Sequence, residues 1–243
     1  MGWGERVRAA ARVAACLVCC AGPSPALSDE DETHLLLFSG RDLWRSGAFL
    51  YGGLIFSPGG FDDSGFLLKL LYSGGAYRYR ASDLGGERVI GVEAVGHVAP
   101  GFLIKRGSFE GKFFFGLEQQ NHWLWPDDPG NKLRGHNLGL RMSFDIWYEP
   151  TPNTMIAADG SLTSVGANYS GRVGAGVRVF DQFYVGPETQ VYGGDGYRQF
   201  RLGAHITSMK TDTTEWSAAV GWSIDTDKQS SPYVRLGVLQ RVN

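Results

Sequence analysis

The residues best suited to chemistry are five histidines, His34, His97, His122, His136 and His205, and a series of charged side chains spaced along most of the chain. His205 stands near Thr207 and Ser208, and His136 stands beside Asn137, so either could be nominated for a hydrolase acting on lipid or glucan. Neither lies in a Gly-x-Ser-x-Gly elbow, the strained turn that exposes a serine nucleophile. The histidines are far apart in sequence, without the paired spacing of a zinc site. Gly193-Gly194-Asp195-Gly196 opens no helical pattern and so makes no phosphate cradle. The expectation is a protein that is not an enzyme and holds no metal or cofactor, with a hydrolase as the alternative.

The charged series is more informative. Lys69, Glu93, Glu110, Lys112, Glu118, Arg141, Asp145, Arg172, Arg178, Glu188, Arg201, His205 and Arg235 alternate with apolar neighbours. In a β-strand successive side chains point to opposite faces, so each such run has one apolar and one charged wall. If the runs close into a barrel, the charged positions line its lumen. Ions buried there must pair, and Glu118 with Arg141 and Glu188 with Arg201 are the expected partners. Tyr77, Tyr79, Trp123 and Trp125 are candidates to stack on the faces of a glucan.

The elements that would hold these groups are alternating runs. Residues 109–120 place Phe109, Phe113, Phe115 and Leu117 opposite Glu110, Lys112, Glu118 and Gln120. Residues 137–148 place Leu138, Leu140, Met142, Phe144, Ile146 and Tyr148 opposite Arg141 and Asp145. Similar runs recur from Leu35 to Gln240, about twelve in all and with no helical pattern among them. The predicted fold class is all-β: a single antiparallel up-and-down transmembrane β-barrel, preceded by a cleavable signal peptide. The two regions are a leader over residues 1–28 and a barrel over residues 29–243.

Composition agrees with export. Arg6, Arg8 and Arg12 precede an apolar run from Val13 to Ala21, and Ala26-Leu27-Ser28 supplies the small residues of a cleavage site. All three cysteines, Cys16, Cys19 and Cys20, fall inside that leader, so Cys16-x-x-Cys19 serves neither redox chemistry nor metal binding in the mature chain. The formal net charge is −2 and no basic block points to nucleic acid. Beyond the leader no apolar stretch reaches the roughly 20 residues of a membrane helix, so a membrane form must be a closed barrel. A secreted soluble sandwich or lipocalin-like barrel, with the apolar face as its core and polar residues outside, is the competing architecture.

The connections alternate too. With the N-terminus on the inner side, the longest link, residues 122–133, falls outside, and Glu149 to Asn153 and Asp181-Gln182 become short inner turns. Trp44, Trp123, Trp125, Trp147, Tyr148, Tyr184, Trp216 and Tyr233 lie at or near run ends, where amphipathic rings anchor at membrane interfaces.

Several long strings also carry a family resemblance. They are Asp42-Leu43-Trp44-Arg45, Gly85-Gly86-Glu87-Arg88-Val89-Ile90-Gly91, Leu124-Trp125-Pro126-Asp127-Asp128-Pro129-Gly130, Trp147-Tyr148-Glu149-Pro150-Thr151-Pro152, Tyr184-Val185-Gly186-Pro187-Glu188-Thr189-Gln190 and Gly203-Ala204-His205-Ile206-Thr207-Ser208-Met209-Lys210. From about Phe38 to Gln240 the chain resembles the cellulose biosynthesis protein BcsS family. The resemblance implies a bacterial outer-membrane protein tied to cellulose secretion, and the charged inner wall leaves it as a narrow export pore, an accessory factor or a scaffold plugged by its own ion pairs. Its implied partners are outer-membrane lipid, β-glucan (cellulose) and other cellulose-secretion proteins. It supplies no catalytic motif.

Overall fold

Alternation, not local propensity, builds this molecule. In the computed structural model, which describes residues 33–242, the chain forms twelve strands: β1 (Leu35–Trp44), β2 (Gly47–Phe56), β3 (Gly65–Ala81), β4 (Glu87–Arg106), β5 (Phe109–Trp125), β6 (Gly135–Thr151), β7 (Thr154–Thr163), β8 (Tyr169–Val179), β9 (Phe183–Gly194), β10 (Tyr197–Thr211), β11 (Thr214–Asp225) and β12 (Ser230–Val242). The leader expected over residues 1–28 lies outside the described residues.

Each strand pairs antiparallel with its sequence neighbour, and β1 pairs with β12 from Leu35 opposite Val242 to Trp44 opposite Tyr233. The sheet is therefore a closed meander with no free edge, the up-and-down barrel expected from the sequence. The shortest strands, among them β1, β2 and β7, have 10 residues and β4 has 20. A tilted membrane strand needs about 9–11.

The oily positions look outward. Phe115 and Leu117 on β5, Leu138 and Met142 on β6, Val177 on β8, Leu202 on β10 and Val220 on β11 are all about half exposed or more. The alternate positions of the strands are buried or half-buried, with Glu118, Glu188, Arg201 and His205 almost wholly covered. This is inverted relative to a soluble sandwich or lipocalin-like barrel, either of which would bury the first set and solvate the second. An exterior of apolar side chains is stable only against lipid.

The two ends differ. At the end opposite the chain's entry, residues 82–86, 126–134 and 164–168 form the larger loops. The longest link begins later than expected. β5 continues through His122 to Trp125 and stops at Pro126, which has no N–H to donate to a ladder. At the entry end four links are tight turns of two or three residues. The fifth, residues 57–64, is longer than expected for that side. It folds Phe61 inward against Leu36, Ile55, Leu67, Leu103 and Phe114, and the Lys105 ammonium donates to the Phe61 carbonyl at 2.7 Å. An apolar cluster thus occupies one side of the lumen at the entry end.

Because Leu117 faces outward midway along β5, Leu117→Arg should destabilise the barrel by about 2–4 kcal/mol, the cost of a basic residue near the bilayer midplane. The measurement is the denaturant midpoint of the protein refolded into lipid vesicles. A shift within experimental error would be incompatible with this face meeting lipid.

Candidate lumen site

The strand alternation places all thirteen charged candidates on the inner wall: Lys69 on β3, Glu93 on β4, Glu110, Lys112 and Glu118 on β5, Arg141 and Asp145 on β6, Arg172 and Arg178 on β8, Glu188 on β9, Arg201 and His205 on β10, and Arg235 on β12. Strand register then aligns several of them into a belt. Lys112 stands opposite Asp145, Asp145 opposite Asp159, Asp159 opposite Arg172, Arg172 opposite Gln190, and Gln190 opposite Arg201.

Two aspartates facing each other repel, and each is answered by a cation. The Lys69 ammonium reaches Asp145 Oδ2 at 3.2 Å from three strands away, with its charge also over the Phe114 ring at 4.7 Å. The Arg172 guanidinium meets Asp159 Oδ2 at 2.5 Å.

Two further clusters are buried more deeply. Arg141 donates to Glu118 at 2.5 Å and to the Ser161 hydroxyl at 2.8 Å, and Gln120 donates to the second Glu118 oxygen at 2.7 Å. Glu188 accepts from Arg235 at 2.6 Å, from the Tyr233 hydroxyl at 3.0 Å and from Gln190, with the Arg172 guanidinium 3.8 Å away. The expected Glu118–Arg141 pair is present, and the expected Glu188–Arg201 pair is not. Arg201 turns across the lumen to Asp42 on β1, bonding both carboxylate oxygens at 2.7 and 2.9 Å. It is enclosed by Trp44, Tyr192 and Tyr233, whose ring centroids lie 4.6–5.0 Å from the guanidinium carbon.

Water does not reach all of this wall equally. The Glu118 and Glu188 side chains are fully covered, whereas those of Asp145 and Asp159 remain 41% and 36% exposed. The exposed part of the lumen wall therefore includes Asp145 on β6 and Asp159 on β7.

The aromatic candidates divide. Tyr77 and Tyr79 face inward; Trp123 and Trp125 do not. Trp123 shares its face with Phe115 and Leu117 and is 44% exposed, and Trp125 stands opposite the outward Ile90. Both tryptophans belong to the lipid-facing wall, so they are removed from the glucan-stacking set. Trp44, Trp147, Tyr184 and Tyr233 depart from the interface in the other direction and turn inward on β1, β6, β9 and β12.

Sequence reasoning missed the continuation of Tyr77 and Tyr79. Trp44 and Phe49 lie 5.5 Å apart and within 9° of parallel; Phe49 and Tyr77, 6.5 Å and 16°; Tyr77 and Tyr79, 6.1 Å and 23°. Glycine makes this tiling possible. A Cβ on Gly47, Gly75 or Gly91 would sit 2.4–2.6 Å from the Trp44, Phe49 or Tyr77 ring respectively. Those rings lie flat on the wall where side chains are missing, a use of strand glycine for close approach. Tyr77 is fixed by the His122 ring nitrogen at 3.1 Å, and Tyr79 by Asp128 at 2.7 Å and Asn131 at 2.8 Å.

The hydrolase candidates are held differently. His205 is buried with Nε2 at 3.2 Å from the Ala175 carbonyl, the Ser208 hydroxyl donates to Glu215 at 3.0 Å, and His136 contacts the Asn121 side-chain oxygen at 2.9 Å. Among the described residues no group of three His, Cys, Asp or Glu side chains has the geometry to hold a metal ion.

The cellulose biosynthesis protein BcsS family matches residues 36–242, all of the barrel but its first residue. The chain belongs to that family. No curated protein matches it. Among solved structures, it is similar to an outer membrane channel from Pseudomonas putida F1, at 8% identity and a TM-score of 0.59, covering 91% of this chain and 100% of that one. It is also similar to a TodX deletion mutant described as a monoaromatic hydrocarbon channel, at 8% identity and a TM-score of 0.52, covering 88% and 91%. The fold of this BcsS-family chain is thus that of outer-membrane barrels.

Glu188→Ala should leave the Arg235 guanidinium buried without its counter-ion, a loss of about 3–5 kcal/mol. Urea unfolding of the barrel in detergent measures it. The double variant with Arg235→Met should recover part of the loss, because the orphaned charge goes with its partner.

Proposed function

We propose that this barrel is a narrow polar conduit of the outer membrane within a cellulose-synthesis system, and that its cargo is a β-glucan chain. One observation carries the reading: four near-parallel rings, Trp44, Phe49, Tyr77 and Tyr79, tiled along the inner wall at the end opposite the chain's entry. A β-glucan presents flat faces of C–H groups and edges of hydroxyls. Flat aromatic faces suit the first, and the water-accessible carboxylates Asp145 and Asp159 suit the second. Family membership supplies the cellulose context, and the outward apolar band supports the membrane location. No catalytic step is assigned to the barrel, and a hydrolase remains the alternative; glucan or lipid release by the wild type that disappears in His205→Ala would favour it.

A second reading, a closed scaffold that serves other cellulose-secretion proteins, is favoured by the ion pairs Lys69–Asp145, Arg201–Asp42 and Arg235–Glu188, each reaching over two intervening strands.

Planar-bilayer recording separates the two. A conduit should show small single-channel steps that soluble cello-oligosaccharides interrupt. Tyr77→Ala and Tyr79→Ala should each weaken that block about fivefold, the equivalent of about 1 kcal/mol for one ring face. Tyr79→Phe keeps the face and should leave it unchanged. A silent barrel that runs with normal heat-dependent gel mobility would leave the scaffold standing.

A further inference from the structure

At the end of the barrel opposite the chain's entry, the β3–β4 hairpin rises above the short turn between β1 and β2. The step leaves a notch of about 510 Å³, walled by Arg45, Arg78, Arg80 and Arg88 with Tyr79, and closed by Asp227 and Gln229 of the link between β11 and β12. Arg80 and Arg88 stand directly opposite each other across the strand pair. Like charges so placed repel, and the usual remedy is an interposed carboxylate. None is present: among the described residues no acidic side chain lies within 4.0 Å of any of the four guanidinium groups, Asp227 included. Arg45 donates to the Gln229 side chain at 2.6 Å, Arg78 to the Arg45 carbonyl, and Arg80 to the Gly86 carbonyl at 3.2 Å, neutral acceptors that orient the forks without cancelling their charge.

The height of this cluster identifies what it meets. Arg78 is the register partner of Ile90, an outward residue 46% exposed, and Arg88 lies two positions above Ile90 on the same face. The arginines therefore begin where the oily band stops, at the level of lipid headgroups. Guanidinium forks bind phosphate in bidentate fashion and are the preferred partners of that group.

We propose that Arg45, Arg78, Arg80 and Arg88 form a binding site for the phosphorylated headgroup of an outer-leaflet glycolipid. The site rests on the outward placement of this end, the orientation expected from the loop lengths, and on the membrane location of the proposed function, but not on whether the lumen conducts. It seats one lipid against the β2–β4 side of the barrel and relieves the Arg80–Arg88 repulsion.

Native mass spectrometry of the full mature barrel in detergent tests it, with bisphosphorylated lipid A, the same lipid stripped of both phosphates, and inorganic phosphate as competitor. The phosphorylated lipid should be retained at least about tenfold better than the stripped one, as expected for one or two charge-assisted bonds. The Arg78→Gln, Arg88→Gln double variant should hold both equally. Equal retention of the two lipids by the wild-type barrel would overturn the site, and that comparison needs no variant to fold. Displacement of the lipid by equimolar inorganic phosphate would overturn the headgroup assignment in favour of a soluble anion. Bilayer conductance reads neither outcome, so failure here is distinct from failure of the conduit.

Discussion

Everything in this barrel depends on the ladder between β1 and β12. A sheet in hydrocarbon must leave no N–H or C=O unanswered, and only closure removes the two edges that an open sheet would expose. Once the ring is shut, the period of two leaves each residue a choice of two directions. Lipid takes the apolar set, and every ionised side chain on the other parity is forced into a confined interior. The composition of the lumen is thus a consequence of what the exterior needs.

That confinement explains how the interior is furnished. Glu118 and Glu188 are fully covered and would be costly alone, so each gathers an arginine and neutral donors. Arg201 meets the same demand with a carboxylate and three ring faces. Glycines under Trp44, Phe49 and Tyr77 let large rings lie against the wall without filling the bore. At the entry end the solution is different. Phe61 and its neighbours pack an apolar mass whose Phe114 ring carries the Lys69 ammonium, so polar and oily regions meet inside one lumen.

The sequence made some of this legible and hid the rest for definable reasons. Period-two alternation needs no partner to be read, so the strand number and the inward parity of residues such as Lys69, Arg141 and Arg235 were accessible. Glu118 and Arg141 lie on adjacent strands joined by one loop, and their pairing followed. The partner of Arg201 was not accessible in that way. Asp42 sits 159 positions away and comes within reach only because the last strand returns to the first. Trp123 and Trp125 are a different case. Their numbers share the parity of Phe115 and Leu117, so the run itself assigns them outward, whereas their nearness to the run's end suggested the rim. The inward fold of residues 57–64 left no periodic trace, because a loop has no period to read.

The ion pairs that cross the lumen also have a mechanical meaning. Lys69–Asp145, Arg201–Asp42 and Arg235–Glu188 are struts tying wall segments that no backbone ladder joins directly. A hollow ring of strands can ovalise when the surrounding bilayer squeezes it; a braced ring resists that deformation. The bore is therefore fixed by electrostatics rather than by strand number alone, and dilation has to begin by breaking a strut.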